Sequence, residues 1–210
     1  MGEPPQHDQA VSDGDLLRRH LEGDAQAFPA LVSRYRRELF NFLVRFTGDA
    51  ALADDVFQEA FLQLYLSAGA FDQERRLKPW LFTIATNKAR DAMRSRWRRH
   101  AAPLDATVSG DEEDRTSYAD LMPSNIPPPE ESLLNLETRQ AVQSIVNGMP
   151  ENLRAVLVLA YFHELAYRDI ADILRVPLGT VKSRLHAAVS YFARHWKAAA
   201  ERSEHDRTEK

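Results

Sequence analysis

The chain has 210 residues, 28% of them charged, with a formal net charge of −4 and no cysteine. That length suits one or two domains with substantial cores, and the lack of thiols excludes a disulfide scaffold and thiolate metal sites. The start MGEPPQHDQAVSDGD is polar and holds no apolar signal-peptide core, and the longest apolar run, 155–162, is too short to span a bilayer. The expectation is a cytoplasmic protein without membrane insertion.

The small net charge conceals segregation. Residues 75–100 hold nine Arg/Lys against one acid, 101–137 hold nine acids against Arg115, and 161–197 carry six basic residues and three acids. Charge blocks of this sort mark distinct surfaces. They also mark boundaries: a disordered leader over 1–12, a helical block over 13–100, an acidic, Pro-rich linker over 101–132, a second helical block over 133–199 and a charged, frayed tail over 200–210. The linker contains Pro103, Pro123, Pro127, Pro128 and Pro129 with the acidic run 111–114, and no periodic segment survives in it. No strand pattern of useful length occurs. The predicted fold is all-α, two small helical bundles joined by a flexible acidic linker, the C-terminal one containing a helix-turn-helix.

In chain order, Gly23-Asp24 and Ala27-Phe28 open a helix through Leu31, Tyr35, Leu39, Phe42 and Phe46, which Gly48-Asp49 ends. The next helix, 52–66, is expected to bury Val56, Phe57, Ala60, Phe61 and Leu64 by three- and four-residue spacing. Its other face shows Asp55, Gln58, Glu59 and Leu62. That acidic face is either solvent-facing or a docking surface for a basic partner helix.

Residues 71–78 read as a loop, with Pro79 in the first turn of the following helix. Trp80, Leu81, Ile84, Ala85 and Ala92 form its apolar stripe. Asn87, Arg90 and Arg94 fall in one row on the opposite face, and Arg96, Arg98 and Arg99 follow. Like charges a turn apart repel, which points to an external polyanion. Phe71, Trp80, Phe82 and Trp97, interleaved with the row, suit stacking on single-stranded bases, although core packing accounts equally well for Trp80.

Farther on, AYRDIADILRVPLGTVKSRLHAAVSYFARHW places Ile170, Ile173 and Leu174 on one face of a short helix. A break at 175–177 follows, and then a longer helix burying Val181, Leu185, Ala188 and Phe192. Lys182, Ser183, His186 and Ser190 occupy its other side, flanked by Thr180 and Arg184. This is the plan of a helix-turn-helix, whose second helix enters the major groove and reaches base edges and phosphates. An ordinary helical hairpin with a solvated face fits the periodicity as well.

Three stretches, GDAQAFPALVSRYRRELFNFLVRFTGDAALADDVFQEAFLQLY, KPWLFTIATNKARDAMRSR and MPENLRAVLVLAYFHELAYRDIADILRVPLGTVKSRL, resemble in order the bacterial extracytoplasmic-function (ECF) RNA polymerase sigma factors. The resemblance covers 13–196 and implies a polymerase-binding and −10-melting region 2 followed by a −35-reading region 4. It implies that Asp55, Gln58, Glu59 and Phe61 dock on core RNA polymerase. Phe71, Lys78, Trp80, Asn87, Arg90 and Arg94 then match the surface that opens single-stranded −10 DNA, with a base flipped beside the 71–78 loop. Thr180, Lys182, Ser183, Arg184 and His186 match the recognition helix for duplex −35 DNA, with Arg168 and Tyr167 toward phosphates. An anti-sigma factor is an implied partner, and the linker is expected to thread the polymerase cleft. No catalytic residue, cofactor or metal is implied.

The chain departs from the family pattern at several positions. Ala187 and Val189 stand where two arginines are usual, Arg175 replaces a common glycine, and His163-Glu164 stands where an acid and a glycine are frequent. Two rival functions compete with the sigma reading. A metal enzyme is disfavoured because the HExxH-like string at 163 has Tyr167 where its second ligand belongs. A helix-turn-helix regulator acting without polymerase explains 166–196 but neither the acid-faced helix nor the arginine row.

Overall fold

A computed structural model describes residues 11–72, 75–101 and 129–208, with side chains placed for all of these except 100–101, 129–137 and 200–208. Among the described residues the architecture is all-α. Ser12 caps the first helix, α1 (Asp13–Leu21), its hydroxyl accepting from the Asp15 amide at 3.1 Å. Acids in its first turn and bases in its last complement the helix dipole.

Helix α2 (Ala27–Thr47) buries Leu31, Tyr35, Leu39, Phe42 and Phe46 on the stripe that the spacing predicts. It ends at Gly48, in the left-handed region at φ 75°. The positive φ favours glycine there, and a Cβ would also press on the Asn147 side chain at 3.2 Å. Asp49 then caps α3 (Ala50–Ser67), its carboxylate accepting from the Leu52 amide at 2.9 Å. After a short 3-10 turn (Ala68–Ala70), α4 (Leu77–Ala101) closes the first bundle by packing on α2 and α3. It starts ahead of Pro79, so Lys78 is a helical residue and not part of a loop.

The second half comprises α5 (Pro129–Asn147), α6 (Glu151–Leu157), α7 (Tyr167–Leu174) and α8 (Leu178–Thr208). A π-helical turn (Val158–Phe162) follows α6. Helix α5 begins within the stretch read as linker, and the helical backbone of α8 continues through the tail expected to fray. Residues 102–128, where most of the linker reading falls, lie outside the described residues, as does the leader over 1–10.

The two halves pack on each other. Helix α4 lies against α7, and α2 lies against α5, α6 and the π turn. The His163 imidazole is buried against Phe42 and Phe82 of the first half, with ring centroids 5.6 and 5.3 Å away. Buried side chains from both halves therefore form one continuous cluster.

Candidate docking face and nucleic-acid interfaces

The candidate docking face is on α3. Val56, Phe57, Ala60, Phe61 and Leu64 point inward, leaving Asp55, Gln58 and Glu59 exposed, as the spacing predicts. Gln58 donates to Asp54 at 3.2 Å, and Lys88 lies 3.5 Å from Glu59. Phe61 lies on the inner side of α3 and not on this face: it is buried, edge-on to Phe28 and Phe57, where it sets the helix against the core. The exposed row continues instead through Leu62, Tyr65 and Leu66, the last 70% exposed. Of these, only Leu62 belongs to the face expected from the sequence, although Tyr65 and Leu66 lie at helical spacing from Gln58 and Leu62.

The basic row is on α4. Phe71 stacks on Trp80 at 4.6 Å and 27°, both half-buried, beside a cleft of about 1170 Å³ that Arg75, Arg76 and α7 also line. Phe82 is core and is no stacking platform, whereas Trp97 is 73% exposed. Asn87 is half-buried.

The row is also not uncompensated. The Arg90 Nε donates to Glu151 at 2.8 Å, Arg94 lies 3.8 Å from Asp91, and Arg96 pairs with Asp49. Arg76 pairs with both oxygens of Asp169. Lys78 is 2.5 Å from Glu38 and donates to the His163 carbonyl at 3.4 Å. Partners far away in sequence supply most of these counter-charges, and residue spacing gives no sign of them.

At Glu38, burial alone would raise the carboxyl pKa. Hydrogen bonds from His163 and Lys78, with the charge of both, outweigh burial and hold it below its ordinary value. Asp49 is likewise depressed, chiefly by the Leu52 amide. Facing Glu38 from the other half, His163 approaches through Nδ1 at 3.3 Å, while its buried Nε2 has no hydrogen-bond partner.

The helix-turn-helix has the expected burial. Ile170, Ile173, Leu174, Val181, Leu185 and Ala188 are buried and Phe192 partly so. Lys182, Ser183 and His186 are exposed on the outer side of α8, with Thr180 and Arg184 half-buried at its flanks. Ser183 donates to the Thr180 carbonyl at 3.1 Å. Tyr167 and Arg168 are exposed at the start of α7. Arg175 closes α7 in the left-handed region at φ 54°, its amide directed at the Ala171 and Asp172 carbonyls.

A second concavity, of about 270 Å³, lies between α5, the π turn and α8, lined by Val142, Val146, Leu157, Tyr161, Phe162, Val189 and Phe192. Its lining is almost wholly apolar, and it forms only because α5 and α8 meet, so no local pattern announces it. No described helix is long and apolar enough to cross a membrane.

Comparison with known proteins follows the same division. Residues 31–99 match Sigma-70 region 2, and residues 139–190 match Sigma-70, region 4. The chain is 36% identical over 176 residues to the RNA polymerase sigma-H factor of Pseudomonas aeruginosa, covering 84% of this chain and 89% of that one. It is 34% identical over 170 residues to the ECF RNA polymerase sigma factor SigW of Bacillus subtilis, covering 81% and 89%. Its fold is similar to that of the sigma factor RpoE of Bartonella quintana, solved in complex with the anti-sigma factor NepR. The TM-score there is 0.63 at 20% identity, over 82% of this chain and 98% of the other.

Proposed function

The chain belongs to the ECF RNA polymerase sigma factors of the sigma-70 family, and we propose that its two bundles divide promoter recognition between them. The acidic row of α3, with Leu62, Tyr65 and Leu66 beside it, seats the chain on a basic helical surface of core RNA polymerase. A charged rim around an apolar strip gives orientation and steering together with buried area. Helix α4 and the Phe71–Trp80 stack engage single-stranded −10 DNA, with arginine side chains on phosphates and an aromatic face for an unstacked base. The outer side of α8 reads the −35 duplex in the major groove through Lys182, Ser183 and His186, with Thr180, Arg184 and Arg168 at the groove edges.

The chain performs no covalent step of its own. It acts in the cytoplasm at the nucleoid, joins polymerase reversibly, and links two weak readers so that the second binding event becomes intramolecular. An anti-sigma factor is its natural antagonist. A regulator working without polymerase leaves the match to region 2 unexplained.

The observation that carries this reading is the paired match, region 2 on the bundle with the acid-faced helix and region 4 on the bundle with the helix-turn-helix. In vitro transcription with purified core polymerase over a randomised promoter library tests it. The wild-type chain is expected to select promoters with two elements, and Asp55→Lys with Glu59→Lys to abolish that activity without altering duplex binding. Failure of the wild-type chain to bind core polymerase overturns the reading.

A further inference from the structure

We propose that Trp97, at the far end of α4, is a second stacking platform for the opened −10 strand, so that the cationic row lies between two aromatic stops. The proposal rests on the reading of α4 given above and adds a residue to it. Trp97 is 73% exposed, the most exposed large apolar side chain among the described residues. At about 100° per residue it projects within about 20° of Arg90 and about 60° of Arg94. It therefore carries the row of Asn87, Arg90 and Arg94 one turn farther. On the inner side of the same helix end, Arg96 pairs with Asp49, the cap of α3, and Ala89 is buried. Those contacts fix the rotation of the helix and turn Trp97 outward.

The surroundings of the indole indicate what covers it. The Arg94 side chain is 71% exposed, and Arg98 and Arg99 are exposed beside it, against the single acid of α4, Asp91, 3.8 Å from Arg94. A cationic rim around an aromatic face suits a polyanion with flat apolar faces of its own, which is a nucleic-acid strand. The polymerase surface that accepts the acidic row of α3 is basic on the same reading, and it would repel this end of α4. In a closed duplex the bases are stacked on one another, so only an opened strand offers the ring a face.

Spacing sets what the second platform does. Trp80 and Trp97 are 17 residues apart, about 25 Å along the helix axis. A strand advancing about 3.4 Å per nucleotide covers that length in about seven nucleotides. One base stacks at the Phe71–Trp80 end and another on Trp97, while the backbone between them passes the arginines. Trp97 thus bounds the opened segment on the side away from the Phe71–Trp80 cleft and opposes reannealing there.

The test uses holoenzyme assembled from the full chain and core polymerase, on a promoter selected from the randomised library. Single 2-aminopurine bases are placed along its nontemplate strand. Stacking quenches 2-aminopurine emission, so loss of a platform appears as a rise at the base it held. Trp80→Ala is expected to raise emission at one position, and Trp97→Ala at a second about seven nucleotides away. Trp97→Ala is also expected to shorten the open-complex lifetime about tenfold, and Trp97→Phe to retain most of it. Both Trp97 variants are expected to melt as the wild-type chain does, because the ring is exposed.

Unchanged emission at every nontemplate position in Trp97→Ala overturns the proposal, and so does an unchanged lifetime. Weaker assembly with core polymerase, or weaker binding of closed duplex, with emission unaltered, assigns the ring to a protein or duplex contact and overturns it as well. If Trp80→Ala and Arg94→Ala also leave emission and lifetime unchanged, the −10 reading of α4 itself fails, a pattern distinct from the failure of Trp97 alone.

Discussion

Glu164 and Arg175 are the two described residues other than glycine with positive φ, at 51° and 54°. Both occupy a backbone region that glycine enters at no steric cost. A side chain in the left-handed region costs about 1–2 kcal/mol, partly offset because glycine leaves a looser unfolded chain. Glu164→Gly and Arg175→Gly are each expected to stabilise the fold by about 0.5–1 kcal/mol, read as a higher melting temperature in calorimetry. Glu38 makes a second residue-scale prediction. Its folded pKa is depressed, so its contribution is present above the ordinary glutamate value, about 4.3, and is lost as pH falls through the lower folded value. Glu38→Gln is expected to cost about 1 kcal/mol at neutral pH, and the gap between variant and wild type to close below about pH 4 in urea unfolding. A gap constant down to pH 3 overturns the assignment.

Among the elements, α8 separates two substitutions that look equivalent in sequence. Ala187 and Val189 are both uncharged, but at 100° per residue they project to opposite flanks of the outer face. Val189 lines the apolar groove with Val142 and Phe192, whereas Ala187 is exposed on the side of Ser183 and Ser190. Ala187→Arg is therefore expected to steepen the salt dependence of −35 duplex binding by up to about one unit of log–log slope, and Val189→Arg to leave it unchanged. Fluorescence anisotropy over a salt series reads both. Elements of this kind were legible in the sequence because the stripes of α2, α3 and α8 follow local spacing, as did the exposure of Asp55, Gln58, Glu59, Lys182 and His186. For Phe61 the spacing points inward, as observed, while the family resemblance alone places it on the docking face; Phe82 misled because a run of aromatics says nothing of which way a ring points. The left-handed turns at Glu164 and Arg175 carry no glycine to announce them. Glu151 and Glu38, which pair with cations of α4, and Asp169, which pairs with Arg76 just before it, are distant in sequence from the residues they face.

At the scale of the whole molecule, the continuity of the core decides how the chain comes apart. Two bundles on a flexible tether would unfold independently, each with its own stability. Here Phe42 and Phe82 of one half enclose His163 of the other, while Gly48 admits the Asn147 side chain at the end of α5. Such contacts couple the halves, and coupled units unfold together so long as the interface energy exceeds the difference between their separate stabilities. His163→Ala removes the ring together with its Nδ1 contact to Glu38 at 3.3 Å. It is expected to cost about 1–3 kcal/mol and to split a single calorimetric transition into two. A wild-type chain that already melts in two steps, each unmoved by His163→Ala, would mean that the halves meet too weakly to act as one body.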